Sequence, residues 1–391
     1  MTEVVILSAA RTPIGRLGGS LAGVSAVELG TVAAKAAIAR SGLAASELDQ
    51  AVFGNVLQAN SGQNVARQIA LGSGMGTAST AMTVNEVCGS GLKAVRLGQS
   101  AILLGDAEAV LVGGTESMSQ APFYAPDLRF GHKFGGVSFV DGLQRDGLTD
   151  AFTGQPMGIT AENVAAQFGI SREAQDAFAL ASHQKAVAAQ AAGDFAAEIA
   201  PVTVPTRRGP VVVDTDEAPR PDTSAAKLAA LKPAYQAGGT VTAGNASGIN
   251  DGAAALVLMD KAAAERRGLP YLATIAGYSE GGIDPNFMGY APKRVIEKLL
   301  AKTGSKMTDI DLFEINEAFA AQSLAVAQEL ALPAAKLNVA GGAIALGHPL
   351  GASGARVLMT LLAAMARRDV TEGIAALCVG GGIGVAMQVR R

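Results

Sequence analysis

Tryptophan is absent from this 391-residue chain, and aromatic residues make up only 4% of it. With so few rings there is no platform for stacking bases. With a net charge of −3 and no basic block there is no electrostatic stripe for nucleic acid. Cysteine is nearly absent too: Cys88 and Cys378 are the only two, alongside three histidines. That excludes a disulfide framework and a cysteine-rich zinc site, and it suits a reducing, cytoplasmic setting. No apolar run reaches membrane-spanning length, because 101–112 is interrupted by Asp106 and Glu108 and 355–366 runs into Arg367-Arg368. The start, Met1-Thr2-Glu3-Val4, lacks a charged segment followed by an apolar one, so no secretory signal is expected. What the chain has in quantity is glycine, 48 residues, and hydrophobic residues, 49%. The glycines gather in turns, and the length suggests two or three domains around a large core.

Strand-like and helix-like stretches alternate through the first third. Strands are expected at 4–7, 48–56, 81–84 and 109–112, the last ending at Gly113-Gly114, with helices at 25–38, 64–71 and 92–104. The pattern argues an α/β domain with a mostly parallel central sheet. Asn85-Glu86-Val87-Cys88-Gly89-Ser90-Gly91 falls at a strand-to-helix turn. Such a turn exposes a side chain at its tip, aims helix N–H groups at it, and favours thiolate through the helix dipole. On these residues alone Cys88 is either a packed structural thiol or a nucleophile.

The same order recurs near the C-terminus. Gly42, Leu48-Asp49 and Asn55 are matched by Gly304, Ile310-Asp311 and Asn316. Ser90-Gly91, a helix, a strand and Gly113-Gly114 are matched by Ser353-Gly354, a helix, a strand and Gly380-Gly381. Two matches at nearly one spacing indicate an internal duplication. A site at the junction could then draw groups from both halves. Between the halves, 119–156 is rich in glycine, proline and aromatics, 161–192 reads as two helices with Ser171 capping the second, and 202–222 reads as irregular. His132 and His183, in this insertion, read as structural or solvated, His183 on a surface-type helix.

Three stretches of the second half carry chemistry. Asn316 ends an expected strand. His348 lies in the glycine-rich loop Gly341–Gly354, with Pro349 fixing the backbone after it. Cys378 runs into Gly380-Gly381-Gly382, where backbone amides are open to a ligand. A cysteine at a helix N-terminus, a histidine base, a second thiol and accessible amides make a set for acyl transfer through a thioester.

The chain resembles the thiolase family over nearly its full length. The resemblance rests on Ala9-Ala10-Arg11-Thr12-Pro13-Ile14-Gly15, Val87-Cys88-Gly89-Ser90-Gly91, Gly244-Asn245-Ala246-Ser247-Gly248-Ile249-Asn250-Asp251-Gly252-Ala253, Asn316-Glu317-Ala318-Phe319, the loop around His348, and Cys378-Val379-Gly380-Gly381-Gly382. It is closest to the short-chain biosynthetic branch. The resemblance implies a five-layer αβαβα core of two duplicated halves: 1–118 with 249–270, and 271–391, with 119–248 as a loop domain over a coenzyme A groove. It implies reversible condensation of two acetyl-CoA to acetoacetyl-CoA plus coenzyme A, with coenzyme A thioesters as substrates and no metal or other cofactor. Cys88 would carry the acyl group, His348 would take the Cys88 proton, and Cys378 would be the acid/base at the α-carbon. One oxyanion hole would use His348 and a water held by Asn316, the other the backbone N–H groups of Cys88 and Gly380. Leu148, Met157, Arg220, Ala243, Ser247, Met288, Ala318 and Phe319 would line the coenzyme A groove. The family also implies a homo-oligomer, here a tetramer (a dimer of dimers) with contacts from 119–140, and no nucleic acid or membrane.

The chain departs from the family pattern in places. Pro156 stands where short-chain members commonly carry histidine, and Lys227 falls where a serine is common. Pro156-Met157 is similar to degradative 3-ketoacyl-CoA thiolases that take longer chains, so that activity is the alternative. Ketoacyl synthases resemble the same fold but use histidines where this chain has Cys378. A thiolase-like protein that binds acyl-CoA without catalysis is the reading from another class.

Overall fold

The computed structural model describes residues 2–391, with Met1 outside them. Its framework is a sheet of ten strands. In spatial order they are Leu312–Ile315, Glu372–Val379, Ile383–Arg390, Ala273–Gly282, Val4–Arg11, Asn250–Asp260, Ala109–Ser117, Gln50–Gly54 and Thr80–Val84, with Gly15–Arg16 pairing beside Asn250–Asp260. The central strands are continuous apolar runs because both faces are covered. Alternate side chains go to opposite layers. Val5 and Leu7 pack with Leu29, Ala33 and Ala37 of the outer helix Ala26–Ser41, while Val4 and Ile6 join the core between the halves. Ala375, Leu377 and Val379 likewise face that central core. Ile374 and Ala376 face Val295, Ile296 and Leu299 of the outer helix Ala291–Thr303. The layers are therefore outer helices, strands, the central helices Ser90–Leu104 and Leu350–Arg368, strands, and outer helices again.

The sheet is mixed, not mostly parallel. Parallel pairing is confined to Gln50–Gly54 with its two neighbours and to Leu312–Ile315 with Glu372–Val379. The reason is the return path. Ile383–Arg390 follows its neighbour after the short glycine turn 380–382, and a turn that short can only bring a strand back antiparallel. The run Gly113-Gly114 does not end its strand, which continues to Ser117.

The duplication is visible in the topology. From the junction outward, Val4–Arg11, Asn250–Asp260, Ala109–Ser117 and Gln50–Gly54 correspond to Ala273–Gly282, Ile383–Arg390, Glu372–Val379 and Leu312–Ile315, with the same sense at each step. The strand Thr80–Val84 has only a remnant counterpart, a single bridge from Phe313 to Leu337. The sheet halves meet through two residue pairs, Val5 with Thr274 and Ile6 with Ala273. The firmer join is between the central helices. A Cβ on Gly91 would lie 2.6 Å from Ala355 N, and one on Gly354 would lie closer still to Leu92 N. The matched Ser-Gly pairs thus let two backbones touch and bring two helix N-termini to one place.

Between Met118 and Asn250 the chain leaves the sheet. It forms a small hairpin of Phe123–Tyr124 with Val140–Asp141, the helices Met157–Phe168 and Arg172–Ala192, and a second hairpin of Val202–Val204 with Val211–Val213. The last lies in the stretch expected to be irregular. Ser171 caps its helix by accepting from Ala174 N. Among the described residues no helix is long and apolar enough to cross a membrane.

Candidate active site

Cys88 sits between the strand Thr80–Val84 and the helix Ser90–Leu104. The turn is tight enough to force Val87 to φ +45°, the left-handed region that a β-branched residue avoids. Local hydrogen bonds hold it there. Val87 N donates to Asn85 Oδ1 at 3.0 Å, Ser90 Oγ donates to Val87 O at 2.6 Å, and Glu86 N donates to Ser90 Oγ at 2.8 Å. The expected thiolate is not the resting form. Burial pushes the Cys88 thiol up to about 11, outweighing the backbone N–H groups of Gly380 and of Cys88 itself, which pull it down. Those two amides are the pair that the family resemblance assigns to an oxyanion hole.

His348 precedes the other central helix. Its Nδ1 lies 2.6 Å from Ser353 Oγ, and that hydroxyl donates to Pro349 O at 2.8 Å. With its proton committed to the carbonyl, Ser353 accepts from Nδ1–H, which leaves Nε2 unprotonated and able to accept. Asn316 Nδ2 stands 3.4 Å from Nε2, and its Oδ1 is buried without a partner. Asn250 Oδ1 holds the His348 amide at 3.0 Å. Burial, reinforced by the Arg356 cation, brings His348 down to about 3, so the ring is neutral.

Cys378 is the penultimate residue of the strand Glu372–Val379 and is fully buried. Its alternate position turns it away from the central core toward Met288, Ala318 and Phe319. Burial drives its thiol well above the ordinary range, and the neighbouring Cys88 adds to the shift.

A cavity of about 340 Å³ opens onto this centre. Cys88, His348 and Gly380 line its floor, and Leu148, Met157, Ser247, Met288, Ala318 and Phe319 line its walls. Asn316 and Cys378 are fully buried and are not among the lining residues. The walls carry no charged side chain, which suits a slender, uncharged arm. Ser247 reaches the wall through main-chain pairing: its amide donates to Ala318 O at 2.9 Å, and Ala246 bridges Phe319. Arg220 and Ala243 are not in this cavity. They line an adjacent recess with Arg16 and His183, which shares Gly248 and Ile249 with the main cavity. His183 is buried, not on a surface face, and Nδ1 accepts from Arg220 N at 3.2 Å. Burial and the Arg220 and Arg16 charges lower it to about 4. His132 is exposed. Pro156 lines the cavity as the residue preceding the helix Met157–Phe168, where it supplies no side-chain cap. Lys227 pairs with Asp222 on the surface.

Sequence reasoning missed several groups. Glu116 is fully buried below the Cys88 turn. It accepts from Asn55 Nδ2, Val56 N, Leu57 N and Gly351 N at 2.7–3.1 Å, joining the first half to the first turn of the His348 helix. Burial pushes it up to about 7 against the pull of those amides. An acid inside an apolar strand was its signal. Glu317 accepts from Ser182 Oγ, Asn338 Nδ2 and Ile344 N and so ties the glycine-rich loop to the end of the Asn316 strand. Tyr235 and Gln144 also line the cavity, with no pattern to mark them.

Comparison with known proteins agrees with this geometry. Residues 4–262 match the family model described as thiolase, N-terminal domain, and residues 269–391 match thiolase, C-terminal domain. The acetyl-CoA acetyltransferase of Pseudomonas aeruginosa is 53% identical over 392 residues, covering all of both chains. The crystal structure of the Bacillus anthracis acetyl-CoA acetyltransferase superposes with a TM-score of 0.98 at 44% identity, over 100% of this chain and 99% of that one. Human mitochondrial 3-ketoacyl-CoA thiolase superposes at 0.97 with 42% identity, over 100% and 99%. Matched by both family models across nearly its whole length, the chain belongs to the thiolase family.

Proposed function

We propose that the protein is an acetyl-CoA C-acetyltransferase, reversibly condensing two acetyl-CoA to acetoacetyl-CoA and coenzyme A through an acyl-Cys88 thioester. The observation that carries this reading is the meeting of Cys88 and His348, each at the N-terminus of a central helix, on the floor of one uncharged cavity. The names of the relatives agree with it. With the thiol raised to about 11 and the imidazole lowered to about 3, an ion pair is strongly disfavoured at rest. The proton therefore leaves Cys88 for His348 Nε2 as the sulfur attacks the thioester carbonyl. The N–H groups of Cys88 and Gly380 receive the resulting oxyanion. Collapse of that oxyanion expels coenzyme A as a thiolate, which takes the Cys378 thiol proton. Protonated at Nε2, His348 becomes a donor beside Asn316 for the oxygen of the second acyl-CoA. The Cys378 thiolate then removes the α-proton of the second acyl-CoA, and the enolate carbon attacks acyl-Cys88. The Cys88 thiolate released takes back the proton held by His348. The uncharged cavity takes the pantetheine arm, and the Arg16 and Arg220 recess suits the nucleotide phosphates. Coenzyme A thioesters are substrates here, and the reading requires no metal or other cofactor; unchanged turnover after chelation is the expected outcome.

Pro156 in the cavity wall favours a second reading, thiolysis of longer 3-ketoacyl-CoAs. Comparing kcat/KM for acetoacetyl-CoA with that for longer substrates decides: a preference for the longer chain overturns the first. The two free cysteines support a cytoplasmic enzyme, which fits a place in fatty-acid metabolism. A homotetramer is supported by two features. The outer strand Thr80–Val84 leaves a sheet edge unpaired, and Phe123, Phe130, Phe134 and Phe139 stand exposed on the arm after Ser117. A dimer mass in light scattering would refute the tetramer.

A further inference from the structure

Cys378 belongs to a buried apolar cluster with Ala161, Val164, Met288, Ala318, Phe319 and Ala321, none of which can take a thiol proton. The one hydrogen bond its sulfur makes among the described residues runs to Gln322 Oε1, at 3.9 Å. Gln322 lies in the first turn of the helix Ala320–Glu329 and is fully buried. Its orientation is determined. Oε1 also accepts from Ala318 N at 3.1 Å and Phe319 N at 3.5 Å, so a flipped amide would set NH2 against two N–H donors. The residue is also walled in, since a Cβ on Gly289 would fall 2.5 Å from Gln322 Cβ. Nε2 is buried with no partner. A leucine would strand Ala318 N and Phe319 N, so Oε1 also caps the helix Ala320–Glu329. Nε2 has no part in that cap, and the Cys378 thiol is the one side chain from which Oε1 accepts.

We propose that Gln322 is a positioning residue for Cys378, holding the thiol proton and the orientation of the sulfur, so that it governs proton transfer at the α-carbon and leaves acylation of Cys88 untouched. This rests on the acid/base role given to Cys378 above. The neutral thiol keeps its S–H on Oε1, and the sulfur becomes the base for the carbon acid once that proton has gone to the departing coenzyme A thiolate. Oε1 accepts from the thiol and has no hydrogen bond to offer the thiolate, so the amide acts on the protonated form and sets the direction in which the proton is lost and regained. Cys88 is the titratable group that bears on this sulfur.

The test separates two half-reactions in wild type, Gln322→Leu, Gln322→Glu and Cys378→Ala. Acylation is read as the rapid release of coenzyme A from acetyl-CoA, and condensation as steady-state formation of acetoacetyl-CoA. Gln322→Leu is expected to acylate at nearly the wild-type rate and to condense roughly 10- to 100-fold more slowly. Gln322→Glu restores an acceptor. It should recover part of the condensation rate, with the pH profile displaced upward because a carboxylate beside the sulfur disfavours thiolate. Condensation at the wild-type rate in Gln322→Leu overturns the proposal, as does a fall of both half-reactions in equal proportion. If Gln322→Leu does not fold, an unshifted pH profile in Gln322→Glu overturns it and a shifted one supports it. Retained condensation in Cys378→Ala would instead remove the acid/base reading beneath it.

Discussion

The turn before the helix Ser90–Leu104 and the turn before the helix Leu350–Arg368 occupy equivalent places in two duplicated halves, yet they are built differently. The first is strained at Val87 and ends in a thiol. The second holds a neutral imidazole, oriented through Ser353, at the end of a glycine-rich loop. Duplication supplied two helix N-termini that converge, and the residue placed at each decides the chemistry. The serine of each Ser-Gly pair shows the same divergence. Ser90 braces its own turn by hydrogen bonds to Glu86 N and Val87 O, whereas Ser353 fixes the tautomer of a histidine. A shared scaffold with unshared side chains explains how two halves of one ancestry perform complementary steps.

The comparison breaks first at the sulfurs. Cys88→Ala removes the group that carries the acyl chain, and kcat for condensation should fall by about 10,000-fold or more with no burst of coenzyme A. Cys378→Ala should lose condensation to a similar degree yet keep the burst. A burst retained in Cys88→Ala would show that the acyl group is carried elsewhere.

The helix crossing tests whether the halves depend on each other equally. Gly354→Ala drives a methyl into Leu92 N, and Gly91→Ala places one 2.6 Å from Ala355 N. Neither backbone can yield locally, so each should cost about 1–3 kcal/mol, with Gly354→Ala at or above the upper end. Urea unfolding at constant m-value measures both. A milder effect at Gly354 than at Gly91 would mean that the second half relaxes around the change.

The fold and the site differ in how far residue order reveals them. Cys88, His348 and Cys378 are legible because each stands beside glycines at the end of a strand or the start of a helix, positions that turn chemistry marks locally. The helix bounds, the Ser171 cap and the duplication are legible for the same reason. The insertion of Asn250–Asp260 between two strands far earlier in the chain is not, because strand-and-helix alternation carries no information on where a late strand enters a sheet. Nor is the protonation of Cys88. The helix terminus argues for thiolate, but only the packed structure reveals a burial strong enough to reverse it. Arg220 and Ala243 fall in the adjacent recess because linear motifs do not resolve two cavities that share a wall. Glu116 went unseen because its partners come from two segments of chain far from it and from each other, 55–57 and Gly351.

Ser353 is the next lever. Ser353→Ala removes the acceptor that keeps the proton on His348 Nδ1, so the ring can place its proton on Nε2 and turn it toward the thiol. A fall in kcat of about 10- to 100-fold is expected, with KM nearly unchanged, because the substrate walls are not touched. Ser90→Ala should instead act on the backbone of the Cys88 turn and lower thermal stability together with rate. Equal effects of the two serines on stability would erase the distinction between a brace and a tautomer lock.

The smallest expected effect on rate concerns acid pH and separates the imidazole from the thiol most directly. His348 is held neutral down to about 3, so kcat/KM for acylation should show no imidazole ionisation between pH 7 and pH 5. An acid limb with a midpoint near 6.5 that disappears in Ser353→Ala would contradict the buried, neutral ring. Stability should respond where rate does not. The unfolded imidazole binds a proton below about 6.5 and the folded one only near 3, so the unfolded state holds more protons across this window and stability is lost as the pH falls. For one such group the loss between pH 7 and pH 5 is about 2 kcal/mol. Glu116, raised to about 7, acts in the opposite sense, because its folded form retains a proton that the unfolded form releases above about 4.5. The imidazole contribution is therefore isolated by comparing wild type with His348→Gln at both pH values. Wild type should lose about 2 kcal/mol more than the variant on acidification, and a constant gap would mean that the folded ring titrates as it does in water.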